Sequence, residues 1–430
     1  MMKRAISLTA FLMIVLCMLT CFSVSAAEEK WILMGDSYAS RLKGKNFEGD
    51  REQLLFAWPD YVTDRLHKKS LIVRLPGTGF CKPDPTHNET FYSAASKLTA
   101  DKNVTRFVLV GGIGNDLRCT GGPASRKQIE TAMSAFHKLV KSKFPNAQIV
   151  ISMPNWGIAA ARQSYIKSRV NWYYTKAEAL GWKALRGSEN VLRVKNLKKF
   201  FFDDGIHPNV YGQWRLGQVL TKYLKELGEA PAAKKITSEE TKPAAQTVIK
   251  KNPVILPRMT KVTSDSITLR WNAVEGAVKY CIYGNKFNSA TKKIGMVLAP
   301  ETGSVRKNLS SGTYYKFRVE AYDKGNKLLA KSRELHIVTP KSKYTNCNKV
   351  TVNKTSLSLQ AGKSGTISAT ETMSVPGNPT FPSSVVYISD TPAVATVSAS
   401  GVVKGLNKGK CKIYAVAQTG VYAVVNIVVS

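Results

Sequence analysis

Between residues 28 and 228 short apolar runs alternate with longer amphipathic stretches, and few architectures accept that pattern. Trp31 to Met34, Leu71 to Leu75, Phe107 to Gly111, Ile149 to Met153 and Val191 to Val194 are near-continuous in apolar residues. Strands of a parallel sheet, covered on both faces, read this way. Between them, Ile129, Met133, Phe136, Val140 and Phe144 recur at helical spacing, behind a capping box of Ser125 and Gln128. Trp214, Val219, Leu220, Tyr223, Leu224 and Leu227 form a second stripe, closed by Gly228. Strands and helices in alternation predict an α/β fold, a three-layer sandwich with a parallel sheet at its centre.

The pattern stops there. Residues 229 to 252 hold Pro231, Pro243, several Ala and Lys and few large apolar groups, the composition of a linker. From about 253 the period drops to two: Ile267, Leu269 and Trp271 alternate with polar residues, as do Tyr315, Phe317, Val319 and Ala321. Short strands with Gly and Asn turns predict two all-β sandwich domains, over 253 to 340 and 345 to 430. After residue 340 the chain carries nine lysines and no arginine, against Glu371 and Asp390.

At the other end, Lys3 and Arg4, the apolar run Ala5 to Phe22 and the small residues Ser23 to Ala27 predict a secretory signal peptide over 1 to 27. An uncleaved anchor is the alternative reading of the same run; no later stretch is apolar enough to span a bilayer. Export permits disulfides among Cys81, Cys119, Cys281, Cys347 and Cys411. No CxxC pair occurs, so no zinc site is expected, and no cofactor is implied. The formal charge of +34 favours polyanionic partners, such as anionic cell-wall polymers. The basic residues are scattered and unaccompanied by a nucleic-acid motif, so no specific nucleic-acid partner is expected.

Three loops carry the polar groups that can do chemistry. The run Trp31-Ile-Leu-Met-Gly35-Asp36-Ser37-Tyr38 sends a buried strand into a Gly-Asp-Ser turn. Ligands of open parallel sheets bind beyond the carboxyl ends of the strands, where Ser37 would stand; a plain helix-capping serine is the other reading. Pro76-Gly77-Thr78-Gly79 and Gly112-Ile-Gly114-Asn115-Asp116 leave the same edge. A glycine N–H, the Asn115 amide and the N–H of Ser37 could together hold an oxyanion. Near the domain's end, Asp203-Asp204-Gly205-Ile206-His207 sets a carboxylate within reach of an imidazole. Of the remaining histidines, His67 and His87 have polar surroundings and His137 falls on the solvent side of a helix.

Gly35-Asp36-Ser37, a glycine of the second loop, Asn115-Asp116 and Asp204-Gly-Ile-His207 resemble, in order, the four sequence blocks of the SGNH (GDSL-type) hydrolases, whose sheet is flavodoxin-like. The blocks stand about 40, 35 and 90 residues apart and cover residues 28 to 228. The resemblance implies Ser37 as nucleophile, His207 as base and Asp204 as the orienting acid, with Asp203 its rival. It implies an oxyanion hole of Ser37, Gly79 and Asn115, with Gly77 as the fallback glycine. Ile113 stands where the family's third block has a glycine, and the second block is compressed. Cys81 and Cys119 would lie on the rim of such a site, either bridged or as inert thiols. Leu269-Arg-Trp271 and the run Leu309 to Tyr322 resemble fibronectin type III domains, with Trp271 in the core and Tyr315 as the corner tyrosine. Ser389 to Gly405 resembles bacterial Ig-like group 2 domains; Cys281 reads as core packing, and Cys347 and Cys411 as a pair that could bridge.

These resemblances imply an exported or cell-wall-associated bacterial serine esterase acting on an O-acylated polysaccharide. A lipase or phospholipase-type ester is the alternative substrate, and transfer of the acyl group to a sugar an alternative outcome. A non-catalytic surface adhesin on the same fold is the alternative from another class.

Overall fold

The computed structural model describes residues 29–81, 88–117, 122–154, 157–192, 197–228 and 251–430. The expected signal segment and nearly all of the expected linker lie outside them. β1 (Lys30–Gly35) leads into a hairpin of β2 (Lys43–Lys45) and β3 (Arg51–Gln53), then α1 (Trp58–Leu66). There follow β4 (Lys69–Arg74), α2 (Phe91–Ser96), β5 (Val104–Val110), the short α3 (Ile113–Asp116) and α4 (Arg126–Lys143). β6 (Gln148–Ser152), α5 (Ala160–Ala179), β7 (Lys183–Ala184) and α6 (Val210–Glu226) complete the unit. The strands pair in parallel in the order β4-β1-β5-β6-β7. Counted along the sheet this is the 2-1-3-4-5 winding of flavodoxin-like folds.

Alternate side chains of each strand serve opposite layers. Ile32, Met34, Phe107 and Leu109 join the α4 stripe of Ile129, Met133, Phe136 and Val140 on one face. Trp31, Leu33, Val108 and Val110 meet Trp58 and Val62 of α1 and Leu216, Leu220 and Leu224 of α6 on the other. Arg106 is fully buried in β5 because its guanidinium stacks on Trp31 and donates to the carbonyls of Leu224 and Gly228, where α6 ends.

Two expectations need correction. Val191 and Leu192 are not strand: they lie in a turn, buried in the second core layer, and the fifth strand is the two-residue β7 just after α5. Burial without periodicity does not distinguish the two. On α6 the buried face is Val210, Gly212, Gln213, Leu216, Gly217, Leu220, Thr221 and Leu224, so Trp214, Val219, Tyr223 and Leu227 flank it. Glycine, not an apolar side chain, makes that contact close: a Cβ on Gly217 would stand 2.4 Å from that of Tyr61.

The rest of the chain is all-β. β8 (Arg258–Val262), β9 (Ile267–Arg270) and β12 (Gly303–Arg306) form one antiparallel sheet, ordered β12-β9-β8. β10 (Lys279–Lys286), β11 (Lys292–Leu298), β13 (Tyr314–Tyr322), β14 (Leu328–Lys331) and β15 (Leu335–Val338) form the facing one. Trp271 sits in the core between them, and the Tyr315 hydroxyl accepts from the Ser310 N–H at 2.8 Å, a tyrosine corner. Residues 347–429 form a second sandwich. Its largest sheet joins Val386–Ser389, Gly409–Val416, Tyr422–Val429 and Ser356–Leu359. Cys347 and Cys411 do not pair. Each is a free, buried thiol in a separate cluster, Cys347 with Val350 and Ala417, Cys411 with Ile413 and Ile427. Cys281 is likewise free and buried.

The second sandwich docks on the end of α1. Ser384 donates to both the carbonyl and the carboxylate of Asp64, and Arg65 donates to Thr380. Burial pushes the Asp64 carboxyl up to about 6, against the opposing effect of the Ser384 hydrogen bonds.

Two outcomes are expected. Gly217→Ala should cost ~1–3 kcal/mol through the clash with Tyr61, read as a lower melting midpoint. For Asp64, a folded value above the ordinary 3.8 means its charge opposes folding. That cost is absent in acid, grows as the pH rises through the interval between the two values, and persists above it. Asp64→Asn should then raise the midpoint by about 2 °C at pH 7.5 and leave it unchanged below the ordinary carboxylate range, by calorimetry.

Candidate active site

The carboxyl ends of β1, β4 and β5 open onto one edge, and the three loops leaving them meet there. From Trp31 to Ser40, Ser37 is the one residue that is not buried. It opens a single turn of 3-10 helix, Ser37–Ala39, capped by the Asp36 carboxylate accepting from the Tyr38 N–H at 3.0 Å. Gly35 permits the turn, since a Cβ there would stand 2.8 Å from the Val110 carbonyl oxygen.

Asp36 is fully buried and holds two loops together. Its carboxylate also accepts from the Gly112 N–H at 2.7 Å, with the Asn115 amide at 3.4 Å. Gly111, at φ +96°, lies so close that a Cβ would strike that carboxyl at 2.4 Å. A second buried carboxylate, Asp116, does the same for the neighbouring loop. It accepts from the N–H groups of Phe80 and Cys81 and from the Tyr173 hydroxyl, at 2.8 to 3.0 Å. Buried carboxylates are tolerated where several donors converge on them. Their roles were not legible beforehand: the sequence marks Asp36 and Asp116 as loop residues, and only burial shows them as anchors.

The structure brings Ser37, His207 and Asp204 together. His207 Nε2 is 3.1 Å from Ser37 Oγ, and Nδ1 is 2.6 Å from Asp204 Oδ2. The other Asp204 oxygen accepts from the N–H groups of Ile206 and His207 at 2.8 and 2.9 Å. Gly205, at φ +66°, makes the tight turn this needs. Phe202 closes it by donating its N–H to the His207 carbonyl at 2.9 Å. The Tyr38 hydroxyl donates to the Ile206 carbonyl at 2.8 Å, so the serine turn and the histidine loop are bonded to each other. Burial raises the Asp204 carboxyl, but the His207 imidazole and the two loop amides outweigh it and hold it below the ordinary carboxylate range. Asp203 is tied through its N–H to the Lys45 carbonyl, and it is the carboxylate of Asp204 that meets the imidazole.

Gly79 and Asn115 lie in the same loops with other bonds already made. Asn115 donates to the Thr78 carbonyl at 2.8 Å. Gly79 is buried and makes room for Asp116, whose Oδ1 would lie 2.2 Å from a Cβ, whereas Gly77 is half-exposed at φ +81°. Cys119 lies outside the described residues, and with it the Cys81–Cys119 pairing. His137 is not on open solvent: it accepts from the Trp182 indole at 2.8 Å and stacks on that ring. Beside Asp204 is a pocket of about 530 Å³ lined by Leu117, Ile158, Tyr165, Ile166 and Ile206. Among the described residues no cluster of three or more His, Cys, Asp or Glu could hold a metal, and no helix is long and apolar enough to cross a membrane.

The N-terminal unit is similar to Est24, a carbohydrate acetylesterase from Sinorhizobium meliloti (14% identity, TM-score 0.36, 46% of this chain and 100% of the other). It is similar too to a lipase/acylhydrolase from Enterococcus faecalis (15% identity, TM-score 0.34, 48% and 100%). The first sandwich is similar to domains FN1–FN3 of chicken CNTN1 (22% identity, TM-score 0.19), where 21% of this chain spans 32% of that one. No curated protein matches the chain. The family model described as Bacterial Ig-like domain (group 2) matches residues 347–428.

Proposed function

We propose that this protein is an exported serine esterase of the SGNH type, with Ser37, His207 and Asp204 as its catalytic group. One observation carries the reading: a single imidazole lies within hydrogen-bond reach of both a half-exposed serine hydroxyl and a carboxylate. Asp204 holds the Nδ1–H tautomer, leaving the Nε2 lone pair to take the Ser37 proton. Ser37 Oγ then attacks the ester carbonyl, and the imidazolium returns that proton to the departing alcohol. Water, deprotonated by the same imidazole, releases the acid from the acyl-serine. The negative oxygen of each tetrahedral intermediate is assigned to the N–H of Ser37 with the Asn115 amide and the Gly79 or Gly77 N–H. Asn115 would have to turn from the Thr78 carbonyl to serve it.

The substrate we favour is an O-acylated polysaccharide. The support is the company of a bacterial Ig-like module and the charge of +34, which suits anionic polymers at a cell surface. Longer acyl esters are a second reading, favoured by the apolar pocket beside Asp204.

Turnover of p-nitrophenyl acetate should fall by about 10⁶ in Ser37→Ala and by about 10⁴ in Asp204→Asn. Equal rates for parent and Ser37→Ala would leave the adhesin reading standing. Across acetate, butyrate and octanoate esters, kcat/KM should be highest for acetate. A maximum at octanoate that Ile158→Trp abolishes would move the substrate to lipid-type esters.

A further inference from the structure

Domains joined in one chain commonly keep cores of their own and solvated surfaces. Here the two rear modules share a core with the catalytic domain. Phe56, Tyr61, Phe202 and Val210 of the N-terminal unit pack with Val338, Tyr344 and Phe381 in one buried cluster, bordered by Phe287 and Tyr314. Phe56 is its hub. Its ring centroid lies 5.1 Å from Phe287, 5.8 Å from Tyr344 and 5.6 Å from Phe381, each edge-to-face. Tyr314 and Phe381 close the set around Tyr344 at 5.0 and 5.5 Å. Phe56, Tyr344 and Phe381 are 4%, 3% and 1% exposed, so separated modules would present large apolar rings to water.

The cluster reaches the catalytic loop from behind. Phe202, whose N–H closes the Asp204–His207 turn, is one of its members, lying over Gly44, where a Cβ would stand 2.3 Å from its ring. Val210, three residues after His207, is another. The Val210 N–H donates to Glu52 Oε1 at 3.3 Å, and Glu52 Oε2 pairs with Lys343 at 2.6 Å. Lys343 and Tyr344 lie between the two sandwiches. One residue on, the Tyr211 hydroxyl donates to Asn378 at 3.3 Å. Both flanks of the Asp204–His207 turn therefore rest on residues of the rear modules.

We propose that the rear modules form the back wall of the catalytic loop, with Phe381, Tyr344 and Lys343 as positioning residues that hold the imidazole at Ser37. The assignment rests on the esterase reading above for its consequence in turnover, but not for the mechanical coupling itself. An imidazole displaced by a fraction of an ångström loses its alignment with the serine hydroxyl, and kcat suffers before substrate binding does.

The test uses the full chain carrying Phe381→Ala or Lys343→Met, the second removing one part-exposed ion pair that cannot by itself unfold a domain. Hydrogen–deuterium exchange over residues 200–212 should quicken about tenfold in both, as a local opening would. For p-nitrophenyl acetate, kcat should fall about tenfold with KM within twofold. Phe381→Leu and Lys343→Arg should restore both readings. Unchanged exchange over 200–212 in both variants overturns the proposal, as does faster exchange with kcat unaltered. If the parent itself hydrolyses no ester, the esterase reading fails while the exchange arm still decides whether the modules brace the loop.

Discussion

His207 and Ser37 are 170 positions apart in the chain, and the chemistry proposed for this molecule depends on their meeting. A parallel sheet makes that meeting cheap in conformational terms. All five strands point the same way, so every strand-to-helix loop leaves at one edge, and residues distant in sequence need only occupy neighbouring strand ends. β1 delivers the serine turn, β4 and β5 deliver the two flanking loops, and the segment before α6 returns to the same edge with the histidine. The Tyr38 hydroxyl on the Ile206 carbonyl then bonds first loop to last.

Loops brought to one edge still have to be held rigid enough to align a hydroxyl with an imidazole. Two buried carboxylates do much of this. Asp36 and Asp116 each gather donors from loops other than their own, and the glycines around them are the ones where a side chain would collide with the carboxyl. A buried charge left unpaired is strongly destabilising, so the loops can open only by leaving such a carboxylate short of donors.

Behind the loop the support changes from polar to apolar. A cluster of aromatic rings drawn from all three structural units underlies the turn bearing Asp204 and His207. Edge-to-face ring pairs have preferred geometry as well as area, and each contributes about 0.5–1.5 kcal/mol beyond the area it buries. The N-terminal unit alone would leave Phe56 and Phe202 with an incomplete covering. The rear sandwiches thus complete a surface that the N-terminal unit does not finish by itself.

How much of this could be read from the chain depends on the range over which each feature is encoded. Local regularities were legible: the apolar runs of β1, β4, β5 and β6, the capping box of α4, the change to period two and the order of the Gly-Asp-Ser, Asn-Asp and Asp-Gly-Ile-His blocks. Each is written in neighbouring residues by the geometry of one element. Features that depend on partners were not. The pattern at Val191 shows burial without saying whether strand or turn provides it, and β7 is too short to carry a period at all. The α6 stripe is offset because its closest contacts are made by Gly212 and Gly217, which no hydropathy pattern records. Cys347 and Cys411 share a module yet sit in separate clusters, a distance only packing sets. The anchoring roles of Asp36 and Asp116 and the bracing of the His207 loop by Tyr344 and Phe381 belong to the tertiary structure, because burial and ring contacts join residues up to hundreds of positions apart. The chain by itself determined which elements form and which side chains could react; the packing of those elements decided which ones meet.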